Sequence, residues 1–125
     1  MIRKLAFLLL GCGILFHAYT AFFKAEGPFS GFLLRLMLWS WLPYIGSAVL
    51  LLVWKNAHAA FGATLFALGA DMVAFYSAFI NPTSSTAALG LLFMPLWNLL
   101  LFAPVGALLG WLISKRARPV REPAR

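Results

Sequence analysis

Four long apolar runs dominate the sequence, and short polar segments separate them. The runs extend over residues 5–23, 36–54, 59–80 and 87–113. Each is about 19 residues or longer, and a helix of that length crosses a hydrocarbon layer of roughly 30 Å. Continuous apolar runs are not the short alternating segments of a membrane β-barrel. The pattern therefore predicts an all-α, polytopic membrane domain of four transmembrane helices over residues 1–114, followed by a basic tail over 115–125.

The composition agrees with lipid as the main solvent. Hydrophobic residues make up 63% of the chain and charged residues 10%, whereas a soluble domain has about 45–50% and 25%. A small water-soluble domain buries only part of its surface, so it could not hide this much apolar area. We expect the lipid bilayer to be the first partner of this protein.

Proline and hydroxyl residues mark the helix ends. Pro82 ends the third helix, and the segment 84–86 supplies Ser and Thr side chains that can cap the fourth. Pro95 and Pro104 predict kinks within the fourth helix. Residues 29–35 are expected to form a short amphipathic turn at the membrane interface before the second helix.

Basic residues predict the orientation, because Lys and Arg accumulate on the cytoplasmic side. With the N-terminus inside, ten Lys and Arg residues divide eight to two. The inner set is Arg3, Lys4, Lys55, Lys115, Arg116, Arg118, Arg121 and Arg125, and the outer set is Lys24 and Arg35. We expect both termini in the cytoplasm and a bacterial inner, or plasma, membrane location. The net charge of +7 therefore belongs to membrane flanks, and no nucleic-acid partner is predicted.

The N-terminus allows an alternative. Arg3 and Lys4 precede a short apolar stretch that ends at Cys12, an order that resembles a lipoprotein signal peptide. Apolar sequence continues beyond Cys12, whereas a cleaved signal is normally followed by a polar chain. We expect an uncleaved first helix, with modification of Cys12 as the alternative.

Asp71 is the polar residue that lipid should exclude most strongly. It lies in the middle of the third apolar run, where an ionised Asp costs at least about 2.5–3.5 kcal/mol. It should therefore face other helices. One interpretation is a proton or cation site, and the other is a hydrogen-bonded residue that locks helix packing.

Three further polar residues lie at a similar depth on the other helices. Counting from the helix ends at about 1.5 Å per residue, His17, Tyr44 and Asn98 fall within roughly 10 Å of Asp71 along the membrane normal. His17 can be a hydrogen-bonded packing residue or a proton relay, since histidine is the side chain that most readily exchanges a proton under physiological conditions. Arg35 lies above this level, where it could pair with Asp71 or, as we expect, extend to lipid phosphate.

Small residues predict close helix contacts. The third helix carries a heptad seam of small side chains, and such seams drive helix association in lipid. The seam comprises Ala60, Ala63, Ala67, Ala70, Ala74 and Ser77. Gly106 and Gly110 on the fourth helix form a GxxxG pair. This pair could pack within the bundle or form a homodimer.

The sequence contains no pattern typical of an enzyme. It lacks an HExxH motif, a phosphate-binding loop and a CxxC pair. Its Cys and two His residues do not suffice for an ordinary metal site in a monomer. We therefore expect no enzymatic activity, no cofactor and no bound metal.

The segment from Ser84 to Trp97, SSTAALGLLFMPLW, resembles a segment of small uncharacterised bacterial inner-membrane proteins with four helices. In those proteins a Ser-Ser-Thr cap opens the last helix and Phe-x-Pro follows within two turns. The resemblance implies the same architecture and no particular activity.

Two functions follow as hypotheses. The first is an accessory protein that binds or stabilises a larger membrane-protein partner, favoured by small size and by the packing motifs. The second is a homo-oligomeric transporter or channel for a small solute, protons or cations, in which Asp71 and His17 carry the charge.

Overall fold

The computed structural model describes residues 1–24, 28, 30–87 and 89–117, and this part of the chain is helical without a strand. Four helices in it are long and apolar enough to span a membrane: α1 (Ile2–Lys24), α2 (Gly31–Leu52), α3 (Ala57–Ile80) and α4 (Leu89–Arg116). The helices run alternately up and down. One end of the bundle carries Ile2, Lys55 and Ala117 and is called the termini side; the opposite end is called the far side.

The helix bounds differ from the predicted ones mainly at polar ends. α2 begins at Gly31, so residues 31–35 belong to the helix and do not form a separate interfacial turn. Ser30 caps it, since its hydroxyl accepts a hydrogen bond from the Leu33 amide at 3.4 Å. α4 continues to Arg116, because long basic side chains can extend to the membrane surface while their backbone stays helical. Most of the predicted tail, residues 118–125, lies outside the described residues.

The connection between α2 and α3 is a tight turn on the termini side. Lys55 has a φ of 54°, a left-handed conformation that reverses the chain direction. Asn56 then caps α3, because its side-chain oxygen accepts a hydrogen bond from the Ala59 amide at 3.1 Å. The two helices are thereby held as antiparallel neighbours.

α3 is the central helix and packs against each of the other three. Its closest neighbour is α4. A β-carbon added to Gly62 would overlap the Gly106 carbonyl group, and one added to Gly110 would overlap the carbonyl of His58. The backbones therefore touch. The GxxxG pair of α4 is used within the bundle, against a glycine of α3.

The small-residue seam of α3 is buried only on the termini side. Ala60, Ala63 and Ala67 are buried, whereas Ala70 and Ala74 are half-buried and Ser77 is exposed. The predicted continuation of the heptad seam to Ser77 is wrong. An α-helix has 3.6 residues per turn, so a stripe repeating every 3.5 residues drifts around the helix by about 20° per heptad. The buried face accordingly passes from Ala67 to Asp71.

The far side of the bundle is more open. α1 and α3 each end there in a π-helical turn, at Thr20–Lys24 and Tyr76–Ile80, and neither turn contains a buried residue. A third π-helical turn, Asn98–Phe102, lies within α4. Turns of this kind are frequent at functional sites, since they redirect side chains without ending the helix.

Large apolar side chains cover the outside of the bundle. Leu15, Val73 and Leu100 are 70%, 67% and 67% exposed. Apolar exposure on this scale is a liability in water, and it is the normal outer surface of a helix bundle in lipid.

Candidate functional site

Asp71 lies at the centre of a buried polar cluster. Its side chain is 2% exposed, and one residue from each of the other helices reaches it. His17 Nε2 lies 2.8 Å from Oδ2, Tyr44 donates its hydroxyl to Oδ2 at 2.6 Å, and Asn98 donates its Nδ2 to Oδ1 at 2.7 Å. The three side chains that the sequence placed at the depth of Asp71 therefore meet at its carboxylate.

The central position of α3 explains why one carboxylate can collect three partners. A residue on the buried face of α3 looks toward α1, α2 and α4, since α3 packs against all of them. A carboxylate has two oxygens and about four lone pairs, so it can accept several hydrogen bonds at once. Asp71 is the residue of that buried face nearest to the far side.

Tyr44 reaches Asp71 because α1 has a glycine, which carries no side chain, where the Tyr44 ring packs against it. Gly13 is buried against the Tyr44 ring, and a β-carbon on it would overlap ring atoms. Gly13 and His17 lie one turn apart on α1, so they share a face. The His17 and Tyr44 rings also meet edge to face, with centroids 5.5 Å apart and planes at 65°. This packing holds both donors in place.

Asn98 is the first residue of the π-helical turn in α4. Its carbonyl accepts the Ala103 amide, five residues on. Pro104 follows and has no amide hydrogen, so the ordinary hydrogen-bond ladder cannot continue through this point. The wide turn coincides with the inward position of the Asn98 side chain, which is 1% exposed. Its Oδ1 atom is buried and has no hydrogen-bond partner in the described part of the chain.

Among the described residues, His17 is the one basic side chain that pairs with Asp71. Asp71 is the single acidic side chain in the described ranges, and its ion pair is with His17. Arg35 is exposed and makes no ion pair with it, so the counter-ion alternative for Arg35 is not observed. His17 and Asp71 can share one proton, either as an imidazolium and a carboxylate or as two neutral groups.

A partly open cavity of about 570 Å³ leads from the far side of the bundle to this pair. His17 and Asp71 line its inner end. Lys24, the last residue of α1, also lines the cavity. Its walls are largely apolar, with four phenylalanines: Phe16, Phe32, Phe75 and Phe79. Ligand pockets typically have volumes of about 300–1,000 Å³ and combine apolar walls with a few polar groups.

No family model, curated protein or solved structure matches the chain.

The sequence interpretation missed several residues that shape the site. Gly13 and Gly62 were not recognised as contact positions, although Gly13 lies one turn before His17. The phenylalanine walls were also missed, since an apolar side chain gives no sequence signal that separates a cavity wall from a lipid-facing surface. Trp39 donates its indole N–H to the Leu92 carbonyl at 3.2 Å. A donor near Pro95 is reasonable, because proline weakens the hydrogen-bond ladder in the turn before it.

Proposed function

We propose that this protein is a multi-pass carrier of the bacterial inner membrane that exchanges a proton as it binds a small, largely apolar molecule. The molecule enters the cavity on the far side, and the proton resides on the His17–Asp71 pair. With both termini in the cytoplasm, the cavity opens toward the outside. One observation carries the proposal. The Asp71 carboxylate, which is 2% exposed and lies 2.8 Å from His17 Nε2, is at the inner end of a largely apolar cavity of about 570 Å³.

The energetics of the membrane support a role for this carboxylate. An intramembrane acid is costly to bury, and such residues commonly lie on substrate or proton pathways. The His17–Asp71 pair can change its charge without a large movement of either side chain, because it can lose a proton. A ligand in the cavity lies beside both groups, so its charge and its hydrogen bonds act directly on that proton.

The accessory-protein hypothesis had rested partly on the packing motifs. Gly106 and Gly110 contact the α3 backbone, and the buried part of the alanine seam lies inside the bundle. These residues are therefore occupied within the chain and do not offer a surface to another membrane protein. For this reason the cavity, and not the packing motifs, supports the function proposed here.

A thermal-unfolding screen of the purified full-length protein in detergent tests the proposal. The panel contains cationic, neutral and anionic amphiphiles, each measured at one mildly acidic and one mildly alkaline pH. We expect at least one compound to raise the unfolding temperature of the wild type to a different extent at the two pH values. Asp71→Asn should lose that pH difference.

Ser77→Ala provides the matched control. Ser77 lies on the same helix, is exposed, and does not line the cavity, so this variant should respond as the wild type does. Equal stabilisation of wild type and Asp71→Asn at both pH values would contradict the proposal. A panel without any stabilising compound would contradict it as well.

A further inference from the structure

We infer that the cavity selects lipophilic organic monocations and that each bound cation displaces one proton. The inference rests on the proposed function and names the substrate class of the same site. It follows from the charge at the inner end of the cavity, the chemistry of its walls and the position of its one lysine.

The inner end of the cavity becomes negative when its proton leaves. Asp71 is the acidic group there, and the basic side chain that pairs with it in the described residues is His17. Tyr44 and Asn98 donate hydrogen bonds to the carboxylate and carry no positive charge. Loss of the histidine proton therefore leaves one uncompensated negative charge in a medium of low dielectric constant, where a cation is strongly attracted.

The walls suit a cation with apolar substituents. Phe16 and Phe75 pack edge to face beside His17, with ring centroids 5.3 Å apart. The ring centroids of Phe75 and Phe79 are 5.0 Å apart. Aromatic faces carry partial negative charge and attract organic cations once water is excluded. Met37 and Met94 also line the cavity, and their polarizable side chains adapt to irregular shapes.

Lys24 is the one Lys or Arg side chain on the described cavity wall. It follows His17 by about 10 Å along α1, at about 1.5 Å per residue, and it is exposed at the helix end. Its ammonium group can extend to the lipid headgroups. A cation at the inner end would therefore lie nearer to the Asp71 carboxylate than to the lysine charge, which stays at the boundary.

A hydrated metal ion suits the site less well. Metal cations such as Ca²⁺ need six to eight oxygen ligands, and no three His, Cys, Asp or Glu side chains come together in the described ranges. The two oxygens of Asp71 already accept hydrogen bonds from Tyr44 and Asn98, and His17 Nε2 lies 2.8 Å from one of them. An organic cation needs only the field of the carboxylate, not a completed coordination shell.

The exchange balances in charge and protons. Before binding, the pair holds one shared proton and has a net charge of zero, whether as an imidazolium and a carboxylate or as two neutral groups. The organic cation enters, the pair releases that proton to water, and the carboxylate, the neutral imidazole and the cation together are again neutral. Among the described residues, the other titratable groups on the walls around the pair are Tyr44, which donates its hydroxyl to Asp71, and Lys24, at the end of α1.

Tetraphenylphosphonium and tetraphenylborate form a matched probe pair, because they share a shape and differ in the sign of their charge. Equilibrium dialysis with the full-length protein in detergent should show saturable phosphonium binding at one site per chain. Binding should release one proton in unbuffered medium, read by a pH indicator. Its affinity should rise with pH, by up to about tenfold per unit while the displaced proton is bound to the free protein. Tetraphenylborate should show no saturable binding.

Two variants and one control variant keep the test decisive. Asp71→Asn should abolish phosphonium binding, while Ser77→Ala should bind as the wild type does. Phe75→Leu removes an aromatic wall and leaves the hydrogen-bonded cluster intact, so it should fold normally and lower phosphonium affinity severalfold. Unchanged affinity in both Asp71→Asn and Phe75→Leu would overturn the inference.

The failure of this inference is distinguishable from failure of the proposed function. Saturable tetraphenylborate binding, or phosphonium binding without proton release, would overturn the selection of cations. A neutral amphiphile could still stabilise the wild type in a pH-dependent manner, and the proposed function would then stand with another substrate class. Absence of phosphonium binding together with absence of any pH-dependent stabilisation would overturn both.

Discussion

The Tyr44 ring occupies the space that a side chain on Gly13 would need, and from that position its hydroxyl donates a hydrogen bond to Asp71. A missing side chain on α1 thus places a donor from α2 on the acid of α3. The polar cluster depends on this contact as much as on the polar residues themselves.

Gly13→Ala tests this dependence. The added methyl group overlaps the ring, so Tyr44 must move and its bond to Asp71 must weaken. We expect a loss of about 1–3 kcal/mol in the free energy of unfolding, typical of overpacking in a tight interior. Chemical unfolding in detergent measures it. Gly11→Ala is the control, since a β-carbon at Gly11 meets nothing within 4 Å; equal losses in both variants would contradict the role of Gly13.

Gly62→Ala tests the contact between α3 and α4. Its methyl group would overlap the Gly106 carbonyl, and a backbone group cannot rotate away as a side chain can. Separation of the two helices should lower the free energy of unfolding by about 1–3 kcal/mol or more. Gly69→Ala lies on the same helix in open space and should be neutral or slightly stabilising, because Ala favours helix over Gly. An unchanged unfolding curve for Gly62→Ala would show that these backbones do not touch.

Substitutions of Asp71 should separate shape from hydrogen bonding. Asp71→Asn retains the size of the side chain and an acceptor oxygen, so we expect a folded protein with a modest loss of stability. Asp71→Leu leaves the donors of Tyr44 and Asn98 buried without an acceptor, and each unsatisfied group costs about 1–3 kcal/mol. Unfolding measurements on both variants should rank Leu well below Asn. The opposite order would mean that the cluster does not stabilise the bundle.

The alanine seam should respond unequally along its length. Ala67 is 0% exposed, so Ala67→Leu should disrupt the bundle by overpacking. Ala70 is half-buried, so Ala70→Leu should have a smaller effect, although the heptad pattern alone treats the two positions alike. Thermal unfolding in detergent compares them directly. Greater damage from Ala70→Leu would restore the straight seam that the sequence suggested.

Topology reporters test the orientation. Fusions after Lys55 and after Arg118 should both report the cytoplasm, and a fusion at Ser84 should report the outside, because basic residues are retained inside. An external C-terminus would contradict the orientation predicted from the eight-to-two distribution of Lys and Arg. It would also reverse the side to which the cavity opens.

Much of the fold follows from local sequence properties. Helix number and approximate span depend on the length and hydropathy of each run, which a chain carries without reference to its neighbours. The shared depth of His17, Tyr44, Asp71 and Asn98 also follows from sequence, since the rise per residue is constant along a helix. The sequence alone therefore indicated which polar residues share a level, but not which of them touch.

Contacts required the tertiary structure. The sequence predicts the depth of a residue along the membrane normal, whereas a contact also depends on the rotation and the lateral position of each helix. Rotation of each helix about its axis decides that Asp71, and not Ala70 or Ala74, continues the buried face of α3. Lateral placement decides that α3 is central, so that its carboxylate meets a donor from every neighbour. The cavity depends on the tight contact at Gly62 and on the more open packing beyond Asp71. No local pattern encodes that difference, because it arises only when the surfaces of separate helices are brought together.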